Sequence, residues 1–265
     1  MPGPLLSAPG PQGVSLLDVL SLERVDRDLF RSTELFEEQW SLFGGQVAAQ
    51  ALLAAGRTVD ASRLPHSLHG YFLRPGDSRR PVVFSVDRDR DGGSFSARRV
   101  VALQEGEVIL NLSASFHAGA AGAVDEVALE PPSGEPALEV SVPDRLIGFE
   151  QRTVDRPWHN HPTRVWLRCT EALPDDPLLH AAALTYLSDI YTGHGAQPSS
   201  AGKHHSTLDH AVWFHRAARA DDWVLMDLQP RSVGDGRGLY TGALWTKDGV
   251  LAASLAQETL YRDRR

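Results

Sequence analysis

The feature that most constrains this chain is that it repeats itself. Phe72-Leu73-Arg74 returns as Phe214-His215-Arg216 after 142 residues, and the turn and strand at 105–110 return at 248–253, an offset of 143. The order of elements returns with them. In the first copy an Ala- and Leu-rich helix is expected at 46–55, with Gly56 as its stop. Alternating strands follow at 69–73, 81–86, 95–103 and 108–116, separated by turns at Pro75-Gly76-Asp77, Asp91-Gly92-Gly93 and Glu105-Gly106-Glu107. In the second copy a strand at 165–169 precedes a helix at 176–189, then strands at 206–216, 223–228, 238–245 and 250–260. Two copies of one helix-on-antiparallel-sheet unit define an α+β protein. The units are expected at 14–118 and 158–265. The Pro-, Gly-, Ala- and Glu-rich stretch at 119–157 reads as their linker. Ahead of the first unit's main helix, 16–22 reads as a short amphipathic helix and 29–35 as a strand.

Composition narrows the function classes. Among 265 residues, 42% are hydrophobic and 23% charged, which supports a packed core. A formal net charge of -8 argues against a general nucleic-acid binder, which needs a cationic face. Cys169 is the single cysteine, so an intramolecular disulfide framework and a cysteine-based zinc site are excluded. The longest apolar stretch, 47–55, is interrupted by Gln50 and is far shorter than the roughly 20 residues a bilayer requires. The proline-rich first residues lack the cationic start of a signal peptide. A cytoplasmic protein with no membrane association is expected.

Several motifs have ordinary readings. Asp87, Asp89, Asp91 and Gly92 imitate the start of a calcium loop, but Arg98 stands where the bidentate glutamate belongs; a polar hairpin turn is expected. Gly234-Asp235-Gly236-Arg237-Gly238 lacks the strand-then-helix context of a phosphate loop and also reads as a turn. No Gly-x-Ser-x-Gly elbow or P-loop occurs. His204, His205, His210 and His215 cluster in sequence with His159 and His161 nearby, but strand alternation splits them between faces, and no metal site is expected. The same alternation puts Thr207, Asp209, Ala211, Trp213 and His215 on one face, opposite Leu208, Val212 and Phe214. Asp189 ends its helix where an acid opposes the macrodipole, so it needs compensation or a purpose. Gln257 is a polar interruption in a strand of small residues.

At these residues a resemblance becomes specific. Phe43-Gly44-Gly45-Gln46, His69 with the run 71–77, and 93–99 look like the first half of the type II acyl-CoA thioesterases. Ser188-Asp189, the run 207–210, Trp213 to Arg216, 248–254 and Gln257-Glu258 look like the second half. The likeness runs in order over about 16–262. It implies two tandem hot-dog domains, each a long helix packed on a curved antiparallel sheet. It also implies that Asp189, Thr207 and Gln257 hold a water for attack on an acyl-CoA thioester, giving free fatty acid and CoA with no cofactor. Association into homo-oligomers is expected by the same analogy. The repeat places Pro65 under Thr207 and Ala114 under Gln257, with Ala48 or Gly56 under Asp189. One catalytic site per chain is therefore expected. Arg74, Arg79 and Arg80 are phosphate partners for CoA or else ordinary charges on a turn. The rival readings are a non-catalytic acyl-CoA sensor and a hot-dog hydratase using Asp209 with His210.

Overall fold

The computed structural model describes residues 13–37, 41–119, 130–132, 136, 138–139, 145–153, 163–191 and 203–263. The first copy opens with one helical turn, α1 (Leu16–Val19), closed by a capping box between Ser15 and Asp18. Strands β1 (Leu22–Asp26) and β2 (Leu29–Ser32) follow, then the helix α2 (Gly44–Gly56). Next come β3 (Leu64–Phe72), β4 (Val83–Asp91), β5 (Phe95–Gln104) and β6 (Glu107–His117). Strands β7 (Leu138–Glu139), β8 (Phe149–Thr153) and β9 (Arg164–Cys169) lead to α3 (Pro177–Ser188). The second copy closes with β10 (Lys203–Phe214), β11 (Val224–Gly234), β12 (Arg237–Thr246) and β13 (Leu251–Asp263).

Among the described residues the strands form one 13-stranded sheet in the order β1-β2-β4-β5-β6-β3-β10-β13-β12-β11-β9-β8-β7, with every recorded pairing antiparallel. The two halves mirror each other about the central β3–β10 pair, the tandem hot-dog arrangement. Irregularities in the ladders repeat with the sequence. Extra residues interrupt pairing at His66 and Leu208, at Asp89 and Arg231, and at Ile109 and Ala252. The first two pairs lie 142 apart and the third 143, so one added residue in the β12–β13 turn explains both offsets. Bulges kept at matching positions are built features of a duplicated unit.

Helices α2 and α3 pack against each other inside this sheet, antiparallel. A Cβ on Gly44 would meet Asp189 just past the end of α3, and one on Gly56 would meet Leu178 near the start of α3. The small side chains permit that approach. Gly45 to Ala55 are all buried, as are His180 to Ser188, so neither helix has a solvent face.

Several expected boundaries shift. The helix expected at 16–22 is a single turn, and Leu22 begins a strand. The strand expected at 29–35 stops at Ser32, and Gly56 is the last helical residue rather than the stop, with Arg57 as cap. The calcium-like run lies mainly on β4, so the turn there narrows to 92–94. The Gly234–Gly238 run does make a turn. Asp235 and Gly236, at φ 51° and 71°, supply the left-handed pair that a two-residue hairpin requires. The stretch expected to be a plain linker supplies β7 and β8, which extend the second copy past β9.

Candidate active site

Asp189, Thr207 and Gln257 come from α3, β10 and β13 and meet. The Thr207 hydroxyl donates to Asp189 Oδ1 at 2.9 Å, and Gln257 Nε2 donates to Thr207 Oγ1 at 3.1 Å. Simple alternation does not predict this, because it puts Thr207 beside the outward-facing Asp209. The bulge at Leu208 shifts the phase by one residue. Thr207 thereby turns toward the side of His210 and Val212, which are 1% and 0% exposed. Asp209 stays on the outer side, where Oδ1 accepts from Glu258 N–H at 2.8 Å and Oδ2 lies 3.1 Å from His69 Nε2. The Asp209 carboxylate thus stitches the bulge. Asp209→Ala is expected to lower kcat about tenfold and to leave KM nearly unchanged, because Thr207 loses its fixed direction without any loss of a substrate contact; steady-state kinetics check this split.

Asp189 is half-buried. Surrounding protein raises its carboxyl above the ordinary range, opposed by the His210 side chain, the Thr207 hydroxyl, Arg145 and Gln257. The unfavourable position at the end of α3 finds its compensation in α2. Oδ2 would be 2.6 Å from a Cβ on Gly44, so the carboxylate lies over the first turn of α2. The N-cap residue, Phe43, has no side-chain acceptor to cap that helix, and the N–H groups of its first turn point out of this end. Tyr240, fully buried on β12, donates to Tyr191 O at 2.9 Å, and burial with the nearby Asp189 charge pushes its phenol well up.

His210 enters only as a metal or hydratase candidate in the sequence. In the fold its Nε2 lies 2.7 Å from Ser188 Oγ, which donates onward to Thr185 O at 2.8 Å. His210 stands directly opposite Gln257 across the β10–β13 ladder, and the two side chains interact. Burial holds the His210 imidazole toward its neutral form. Asp209 and His210 face opposite sides with separate partners, so they do not form the acid–base pair a hydratase needs. Arg145, also missed in the sequence, stacks over Phe43 at 5.4 Å and donates to Ser41 O. Its signal, one arginine in an irregular stretch, is too weak to find unaided.

The other histidines disperse: His215 Nε2 lies 2.8 Å from Ser254 Oγ, and His205 packs edge-on against Tyr261. His159 and His161 lie outside the described residues, as does the side chain of His204. Arg74 pairs with Glu107, Arg79 with Asp77, and Arg80 with Asp77 and Glu105. As exposed pairs they are individually weak. Burial pushes the Cys169 thiol up to about 11, which makes it a poor nucleophile at neutral pH.

Comparison with known families matches residues 36–117 to the acyl-CoA thioesterase N-terminal domain and residues 123–261 to the acyl-CoA thioesterase C-terminal domain. The chain belongs to the acyl-CoA thioesterase family. Human acyl-coenzyme A thioesterase 8 is 34% identical, over 95% of this chain and 90% of its own length. Acyl-CoA thioesterase 2 of Haemophilus influenzae is 30% identical, over 94% and 97%. Among solved structures, acyl-CoA thioesterase II TesB2 of Mycobacterium marinum superposes with a TM-score of 0.80 at 40% identity, covering 93% of this chain and 96% of that one. Membership of the family accounts for the duplicated architecture and for both helices being sealed inside one sheet. No helix among the described residues is long and apolar enough to cross a membrane.

Proposed function

We propose that this chain hydrolyses acyl-CoA to a free fatty acid and CoA, using water activated by Asp189, Thr207 and Gln257. The observation that carries the reading is the hydrogen-bonded series from Gln257 through Thr207 to Asp189, beside the first turn of α2. The Asp189 carboxylate removes a proton as the water oxygen bonds to the thioester carbon. Thr207 holds the carboxylate in place, and Gln257 Nε2 fixes the Thr207 hydroxyl. The N–H groups of Gly44 and Gly45 stabilise the carbonyl oxygen as it becomes an oxyanion. The intermediate then breaks its C–S bond. The proton held by Asp189 passes to the departing sulfur, leaving the acid and free CoA.

A thiol-release assay over acyl-CoAs of several chain lengths tests this. Thr207→Val and Gln257→Leu should each lower kcat about 10²-fold. Full turnover in both would end the assignment, and tight binding without turnover in the unmutated chain would favour the sensor. The pH profile has a definite sign. Asp189 must be ionised and its carboxyl is raised, so kcat/KM should fall on the acid side at a higher pH than the roughly 3.9 of an ordinary aspartate. Thr207→Val removes a donor to the carboxylate and should move that limb higher still.

The family matches and the pairing of β7 with β8 support a first unit over 14–118 and a second that includes Leu138–Glu139, ahead of the start at 158 expected from the sequence. Homo-oligomers belong to the same reading. Tyr71 and Trp213, 50% and 45% exposed on the two central strands, offer an aromatic surface for assembly. Sedimentation showing only a 28.9 kDa species would count against it.

A further inference from the structure

A cavity of about 860 Å³ opens at the other end of the helix pair, and none of Asp189, Thr207, Gln257 and Gly44 lines it. Its walls include Leu64, Pro65, Pro177, His180, Ala181 and Phe214. His180 and Asp189 are nine residues apart, about 14 Å along α3. The two-fold arrangement of the copies makes this cavity the counterpart of the region around Asp189, Thr207 and Gln257. Pro65 holds the position of Thr207, and the start of α3 at Pro177 holds the position of the start of α2 at Gly44. Arg216, the repeat of Arg74, lines it with Arg168, Arg219 and Lys247, among the aspartates 175, 222 and 248.

The parts needed for hydrolysis have been replaced. Arg57 caps α2 where Asp189 caps α3, and Ala114 stands in place of Gln257. The start of α3 is also closed to an oxyanion. Pro177 has no N–H, and Asp176 accepts from Leu178 N–H at 2.9 Å. His180 at the cavity wall is 4% exposed, its Nδ1 accepts from Ala220 N–H at 3.2 Å, and its Nε2 is sealed from solvent.

We infer that this cavity is a second, non-hydrolysing site for a CoA thioester, with the acyl arm along Leu64, Ala181 and Phe214 and the nucleotide end at the arginine rim. The volume lies within the range of ligand pockets. The inference rests on the proposed function, since the ligand is the substrate class of the catalytic cleft.

Calorimetric titration with a non-hydrolysable thioether analogue of acyl-CoA tests it. The unmutated chain should bind two equivalents. Ala217→Trp, an exposed change at the cavity wall, should bind one and still hydrolyse acyl-CoA. One equivalent in both the unmutated chain and Ala217→Trp, with hydrolysis intact, overturns the second site and leaves the catalytic reading standing. No binding and no thiol release in the unmutated chain overturns both. Melting curves confirm that each variant is folded.

Discussion

Asp189→Asn is expected to lose about 10²–10⁴-fold in kcat and at the same time to melt at a higher temperature than the unmutated chain. The two effects share one cause. The carboxylate is surrounded by protein, and the amide of Asn still accepts from Thr207 but cannot take a proton from water. Burial raises the folded-state carboxyl above its unfolded value of about 3.9, so between those two pKa values the native state binds more protons. Stability therefore declines as pH rises through that window, and at neutral pH the ionised Asp189 destabilises the fold. Replacing it removes the cost, worth about 2–4 °C in Tm per kcal/mol for a chain of this size. The gain should shrink as pH falls and Asp189 becomes neutral itself. Calorimetry at two pH values, beside the thiol-release assay, reads both effects. A variant equally active, or less stable at neutral pH, would contradict this account of the site.

Gly44→Ala and Gly45→Ala should fail in different ways although they are neighbours. A Cβ at Gly45 falls 2.4 Å from the Tyr186 carbonyl oxygen and 2.7 Å from the Phe43 ring. The carbonyl is backbone of α3, and both helices are enclosed, so neither can retreat. Overpacking of this kind costs about 1–3 kcal/mol, and the rigid neighbour places Gly45→Ala at the upper end, a fall of about 5–10 °C in Tm. A Cβ at Gly44 instead meets Asp189 Oδ2 at 2.6 Å and the Phe72 ring at 3.0 Å. Both are ends of side chains that can swing aside. Gly44→Ala should therefore keep most of its stability and lose about 10²-fold in kcat, as the carboxylate leaves its hydrogen bond with Thr207. Identical melting temperatures for the two variants would show that the helices are not pressed together as described.

Much of this was legible along the chain. The offsets of 142 and 143 are matched by the three pairs of bulges, and the hairpin at Asp235-Gly236 follows from its turn residues. The family motifs named Asp189, Thr207 and Gln257, which the fold brings together. The apparent linker hid β8, because Phe149–Thr153 is too short to show a period apart from its pairing with β9. For Arg74, Arg79 and Arg80 the sequence left two readings open, because it reports charges and not the partners Asp77, Glu105 and Glu107.

The amino-acid sequence by itself determined the duplication, the α+β units and the identities of the three polar residues, since each is written in local periodicity, turn chemistry or ordered motifs. The tertiary structure alone decided that Thr207 faces inward past the bulge at Leu208, that His210 stands against Gln257, and that the start of α2 meets Asp189 while the start of α3 is closed by Asp176 and Pro177. The phase of a bulge is fixed by the ladder of a partner strand, and the field at a helix end by whatever packs against it. Both are relations between residues distant in the chain, which no window of sequence contains.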